Sequence, residues 1–216
     1  MKKAIVIILL CLLLGCAGKS KNTSTVHSED KPVAQNKRIE PIHVSEAWFE
    51  IDENGGITKY IGPRNIPLVI PPSINGVKVT SITDPTPVLG VFRDKGLTSL
   101  TIPEGVTYIG RSAFFDNQLA YVIIPDTVTV ISNNAFGRNQ LSSVIIPEGV
   151  SYIGTAAFSN NQLAAVVLSS NLAEIDSWAF NTNQLTAVVI PGSVRKISAR
   201  AFSDNPITSI TIGADV

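Results

Sequence analysis

A chain of 216 residues with 44% hydrophobic and 16% charged side chains can bury a core, so disorder of the whole chain is excluded. Its formal charge is zero, and loss of Lys2 and Lys3 with a leader takes the 17 basic residues to 15 against 17 acidic, a net charge of −2. That balance predicts no nucleic acid partner, because a phosphate backbone asks for a large positive excess.

The chain begins with the positive stretch Met1-Lys2-Lys3, followed by an apolar run from Ala4 to Leu14 that no charge interrupts. About a dozen apolar residues fall short of the roughly 20 that span a bilayer as a helix, so residues 1–15 are predicted to be a leader and not a transmembrane anchor. Leu13-Leu14-Gly15-Cys16 resembles the lipobox of bacterial lipoproteins, in which a dedicated peptidase cuts before the cysteine. The resemblance implies that Cys16 becomes a lipidated N-terminus and that the membrane is a partner through this anchor. At about 0.8 kcal/mol per buried CH₂, two or more acyl chains hold stably where one is reversible. The alternative is a plain secretory leader that happens to contain a cysteine. With Cys11 and Cys16 the only cysteines, the rest of the chain has no disulfide, cysteine metal site or thiol chemistry.

Over residues 16–41 the composition shifts to Lys, Ser, Asn, Thr, Asp, Glu and Pro, which predicts a disordered tether. About 25 residues reach some 85 Å when extended and average nearer 28 Å as a flexible chain. His27 and His43, the only histidines, fall in or beside this tether without a partner, so no metal site or cofactor is expected.

Residues 42–65 read as a β-hairpin: Ala47 to Ile51, a turn at Asp52-Glu53-Asn54-Gly55-Gly56, then Ile57 to Ile61. Trp48 or Phe49 is expected to lid the core that follows. Residues 66–96 then form an irregular unit, with Leu68-Val69-Ile70-Pro71 as its strand, Val79, Ile82 and Phe92 inward, and extra residues around Asn75-Gly76 and from Asp84 to Gly90.

From Leu97 onward the chain repeats every 22 residues. Leu97, Leu119, Leu141, Leu163, Leu185 and Ile207 form one column, the Ala-Phe pairs from Ala113-Phe114 to Ala201-Phe202 a second, and Asn117, Asn139, Asn161, Asn183 and Asn205 a third. Leu100-Thr101-Ile102 and its counterparts alternate in-out-in, the mark of short strands with one face in a core. Pro103, Pro125, Pro147 and Pro191 end those strands, since proline gives no N–H to a ladder. Val106 and Ile109, with their counterparts, point inward from the opposite side. The Ala-Phe pair is placed on a short helical turn, and the asparagines are expected to form a ladder that satisfies turn backbone.

This IPxxVxxIxxxAFxxNxL pattern resembles the BspA-like family of bacterial leucine-rich repeats over residues 97–216. The resemblance implies a mainly β fold over residues 66–216: a right-handed leucine-rich-repeat solenoid of about six coils with short helical turns, capped by the hairpin. Ser169-Ser170-Asn171-Leu172 departs from the Pro-Glu-Gly-Val turn but keeps an apolar inward residue.

Function is sought on surfaces, because a repeat fold carries no activity of its own. Outward strand positions give a strip of Thr101, Ile123, Ile145, Val167, Val189 and Thr211, flanked by Tyr121, that has no core to fill and suggests a protein-binding patch. β-branched residues also simply suit a sheet. Strands about 4.8 Å apart make the strip on the order of 500 Å², below the roughly 800 Å² per partner of a standard interface. Arg195, Lys196 and Arg200 form a basic cluster, and Trp178 stands in a column otherwise holding Ser112, Asn134, Ala156 and Arg200. No nucleophile, metal spacing or phosphate loop argues for an enzyme, and Glu104, Asp126 and Glu148 stack as a column of carboxylates. The family resemblance implies an adhesin-like lipoprotein of the outer membrane or cell surface that binds host matrix or bacterial surface proteins. The competing expectation is a structural envelope protein that self-associates or pairs with another lipoprotein, with the edge at Thr211-Ile212 as the surface for self-association.

Overall fold

Side chains 22 residues apart can share one core only if the chain returns to the same place every 22 residues, and it does. The computed structural model describes residues 44–83 and 90–214. The leader, Cys16, the tether, both histidines and the insertion at 84–89 lie outside the described residues.

A 3₁₀ turn at Glu46–Trp48 leads into β1 (Phe49–Ile51) and β2 (Gly56–Tyr60), which pair antiparallel as the expected hairpin. The irregular unit supplies β3 (Pro67–Val69), a small hairpin of β4 (Ser73–Ile74) and β5 (Val77–Lys78), and β6 (Ser81–Ile82). Asn75 and Gly76 take left-handed φ of 51° and 79° at its tip, the geometry a two-residue hairpin turn requires. Each later coil then contributes two strands. On one face lie β7 (Ser99–Thr101), β9 (Tyr121–Ile123), β11 (Ser143–Ile145), β13 (Ala165–Val167), β15 (Ala187–Ile190) and β17 (Ser209–Ile212). On the other lie β8 (Tyr108–Ile109), β10 (Val130–Ile131), β12 (Tyr152–Ile153), β14 (Glu174–Ile175) and β16 (Lys196–Ile197).

The second face is one sheet in the order β1-β2-β6-β8-β10-β12-β14-β16, parallel from β2 onward. The first face falls into three hydrogen-bonded groups, β3-β7-β9, β11-β13 and β15-β17. With the irregular unit as its first coil and β17 beginning a last one, the chain makes about seven turns, the expected solenoid of about six coils with its final strand counted.

The core is a set of ladders. Phe92, Phe114, Phe136, Phe158 and Phe180 are all 0% exposed, and with Phe202 their rings stack at 5.0 to 5.4 Å, within 14° of parallel. Each such pair adds about 0.5–1.5 kcal/mol beyond the area it buries. At the N-terminal end Phe49 and Tyr60 set tilted rings against Phe92, at 6.3 and 5.0 Å, so Phe49 is the lid and Trp48 packs beside it. Tyr60 donates its hydroxyl to the Pro63 carbonyl at 2.9 Å, and burial pushes its phenol up to about 12.

The segment carrying the Ala-Phe pair is not helical. Two residues of each turn sit in the left-handed region: Ser112, Asn134, Ala156, Trp178 and Arg200 at φ 53–59°, and Asp116, Arg138, Asn160, Thr182 and Asp204 at 54–60°. The amides explain this correction to the expected short helical turns. Phe114 N–H donates to the Ala135 carbonyl and Phe136 N–H to that of Ala157, each at 2.8 Å. Donors spent on the next coil cannot close an i→i−4 ladder.

The asparagine column forms the expected ladder. In each coil the side-chain carbonyl accepts the N–H that opens its own 22-residue unit, as Asn117 does from Leu97 at 3.0 Å and Asn161 from Leu141 at 3.1 Å. Its amide donates to two phenylalanine carbonyls, one in its own coil and one in the coil before, as from Asn139 to Phe136 and Phe114. The turn at Ser169–Leu172 has its own substitutes. Ser170 N–H and hydroxyl both donate to Glu148 Oε2, the Asn171 amide donates to the Glu148 carbonyl, and Leu172 stays fully buried.

Candidate binding face

Alternation along β7, β9, β11, β13, β15 and β17 turns residues two apart outward, and parallel register sets these residues beside their counterparts on the paired strand. Thr101 pairs with Ile123, Ile145 with Val167, and Val189 with Thr211. Ile123 is 55% exposed and Val189 63%, with Val167 and Tyr121 also exposed, while Thr101 and Ile145 are half-buried. The strip residues therefore lie side by side within each of the three groups, and Thr101 and Ile145 are less exposed than Ile123, Val167 and Val189. The strip gains a member that the irregular first coil concealed: Val69, exposed and in register with Thr101.

The chemistry of the whole face is more uniform than the strip alone. Residues 97–103, 119–125, 141–147, 163–169, 185–191 and 207–213 include no Asp, Glu, Lys or Arg. Soluble sheets normally place charge on outward strand positions, where it blocks unwanted pairing. Here the charges of the repeats fall on the remaining segments, among them Glu104, Arg111, Glu174, Asp176, Arg195 and Lys196.

The other surface groups are engaged or scattered. Glu148, in the carboxylate column, holds the Ser170 turn, which gives it a structural task. Lys196 meets Glu174 at 3.4 Å, an exposed pair, while Arg195 and Arg200 are exposed. Arg93 and Arg138 lie over the Phe115 ring at 5.0 and 5.6 Å, and Phe115 fits against Gly137, where a Cβ would come within 3.1 Å of the ring. Sequence columns could not announce this cluster, since Phe115 faces Gly137, Ser159 and Asn181 in its column.

Asp176 is the other group that sequence reading passed over. Its carboxylate accepts from Ser177 N–H at 2.7 Å, Thr155 hydroxyl at 2.9 Å and Tyr152 hydroxyl at 3.1 Å. The Ser177 bond, aided by those hydroxyls, holds its pKa below the usual carboxylate value against the pull of burial. Tyr152 is correspondingly raised, by burial first and by Asp176 second. Trp178 is 41% exposed. Among the described residues no cluster of His, Cys, Asp and Glu is arranged to hold a metal ion.

Comparison with known proteins places this architecture. The chain matches no curated protein sequence. It is similar to the solved structure of a leucine-rich cell surface protein from Faecalibacterium prausnitzii A2-165, with 28% identity over 80% of this chain and 55% of that one, and a TM-score of 0.56. It shares its fold with the pneumococcal vaccine antigen PcpA, at 21% identity over 77% of this chain and 47% of that one, TM-score 0.62. A leucine-rich repeat protein of T. pallidum shares it too, at 24% identity over 77% and 70%, TM-score 0.52. The chain spans about half the length of the first two. The family model for the BspA type leucine rich repeat region matches six copies across residues 89–213. With more than half its length in those copies and the solenoid they specify, the chain belongs to the BspA-type leucine-rich repeat family.

Proposed function

We propose that this chain is a surface-displayed, non-enzymatic protein-binding module of adhesin type, anchored to a membrane through lipidated Cys16. The observation that carries the docking role is the uncharged face, with Val69, Tyr121, Ile123, Val167 and Val189 exposed on it. Burying such a row against a partner releases water from apolar surface at little electrostatic cost. The relative in Faecalibacterium prausnitzii is described as a cell surface protein and the pneumococcal one as a vaccine antigen, which supports display outside the cell. The partner class is a host matrix protein or a bacterial surface protein.

Two substitutions test the face. Ile123→Asp and Val189→Asp each place a charge on a side chain more than half exposed, so folding is expected to change by less than about 0.5 kcal/mol. Retention on a panel of immobilised matrix and cell-surface proteins should fall at least tenfold in either variant. If both bind as well as wild type, docking through this face is wrong. Sedimentation of the same variants reads the competing role, since copies that pair through Ser209–Ile212, where Ile210 is 56% and Ile212 60% exposed, would associate regardless of either charge.

The anchor is tested apart from the face. Cys16→Ser in intact cells should move the protein from the detergent-rich phase to the aqueous phase, and unchanged partition would remove lipidation at Cys16.

A further inference from the structure

One column of the solenoid contains a side chain that the fold does not ask for. The residue before each Ala-Phe pair is left-handed in five coils, and Ser112, Asn134, Ala156 and Arg200 show what such a site ordinarily carries. Left-handed backbone crowds any Cβ, and among L residues asparagine bears it best while bulky ones are outliers. Trp178 takes this conformation at φ 56° and remains 41% exposed. Trp48, by contrast, packs against the core, and Trp178 is not part of that packing. A large aromatic held in a disfavoured conformation and left two-fifths exposed points to use at the surface.

The surroundings decide the kind of ligand. The stacked phenylalanines put neighbouring coils 5.4 Å back and 5.3 Å forward, so Ala156 lies beside Trp178 on one side and exposed Arg200 on the other. Two residues earlier in the chain is Asp176, half-buried and fixed by Tyr152, Thr155 and Ser177. With the Ser198 hydroxyl also bonded to it, the roughly four acceptor sites of the carboxylate are taken, and it orders the turn that leads to Trp178. A protein hot spot of this kind is usually seated in a walled, desolvated pocket, and a small neighbour such as Ala156 builds no wall. An open indole with an exposed guanidinium donor one coil away instead suits a flat ligand with an apolar face and a polar rim. A pyranose ring has both: C–H groups on its faces and hydroxyls around its edge.

We propose that Trp178 is the stacking platform of a carbohydrate-binding site, with Arg200 donating to hydroxyls of the sugar. The site belongs to the turn edge of the coils and not to the uncharged strands, so it stands or falls independently of the docking face. Its affinity is that of one ring on one platform, in the weak range that many tethered copies make effective.

The test uses the two tryptophans of the chain. In a Trp48→Phe background, Trp178 is the only indole, and its emission is titrated with maltohexaose, cellohexaose, chitohexaose and a mannose-rich oligosaccharide. At least one is expected to give a saturable shift. Trp178→Asn should weaken that binding at least tenfold with an unchanged or higher melting temperature, since Asn134 shows that asparagine fits the column. Trp178→Phe should keep part of it. If the background variant does not fold, a glycan array probed with wild type and Trp178→Asn reads the same contrast. Three outcomes overturn the proposal: no sugar shifts the emission, Trp178→Asn lowers the melting temperature as a packing residue would, or it abolishes capture of a protein that no sugar competes with.

Discussion

Asn161→Ala is expected to cost about 3 kcal/mol of folding stability and to lower the melting temperature by about 10 °C, taking roughly 2–4 °C per kcal/mol for a domain of this size. The estimate follows the fate of three backbone groups. Leu141 N–H loses the Asn161 acceptor at 3.1 Å and is left buried and unpaired, at about 1–3 kcal/mol. The carbonyls of Phe136 and Phe158 each lose one donor but keep another, from Asn139 and Asn183, which is the milder loss of about 0.5–1.5 kcal/mol apiece. Asn161→Asp should do worse despite its matching shape, because it aims an oxygen at two carbonyl oxygens. Asn205→Ala, in a part-buried position of the last described coil, should lose less than half as much. Thermal melts followed by circular dichroism compare the three, and an Asn161→Ala variant within about 2 °C of wild type would contradict the ladder's assigned weight.

Phe158→Ala should be at least as damaging, at about 3–5 kcal/mol. Its ring is fully buried and lies between Phe136 and Phe180 at 5.3 and 5.4 Å, so truncation opens a cavity and divides the column. Neighbouring coils cannot close the gap, since the two sheets fix their spacing. Phe202→Ala removes a half-buried ring with a single stacked neighbour and should cost less than half of that. Urea unfolding measures both. Equal losses at the two sites would mean that the stack is not the continuous core it resembles.

Much of this fold was written in the 22-residue period, because a column of identical residues states both what is buried and what it touches. Asn161 illustrates the best case, where residue type and recurrence together predict a backbone-bonding ladder. The Ala-Phe turn illustrates the opposite. A local stretch such as Ser-Ala-Phe-Phe looks helical when only nearby residues are weighed, whereas its amides are claimed by carbonyls 21 residues further on, as Phe114 N–H is by Ala135. Only the stacked arrangement reveals that competition, and it forces two left-handed residues into every turn.

The surface was legible in proportion to its regularity. The row from Thr101 to Thr211 follows from alternation, yet Val69 escaped because the first coil is lengthened, which puts 32 residues and not 22 between it and its partner Thr101. Exposure also differs within the row: Ile145 is half-buried where Val189 is not, a distinction that period alone does not carry. Asp176 was missed for another reason. Its column reads Gly110, Ser132, Gly154, Asp176 and Ser198, so it looks like an accident until Tyr152 and Thr155 of the coil behind are seen donating to it.

The coil-to-coil hydrogen bonds also set how the molecule bears load. Sheet ladders, asparagine amides and turn amides all run from one coil to the next, so tension applied at the C-terminal end acts on the bonds of one coil at a time. Peeling a coil trades a 5.3 Å rise for 22 residues of chain, about 75 Å when stretched. The next coil then presents the same bonds to the same force. Contacts limited to neighbours leave the remaining coils intact throughout. Under shear, the solenoid would therefore pay out in equal lengths at a near-constant force and rewind on its N-terminal cap when the load is released, a spring whose stroke is set by the number of coils.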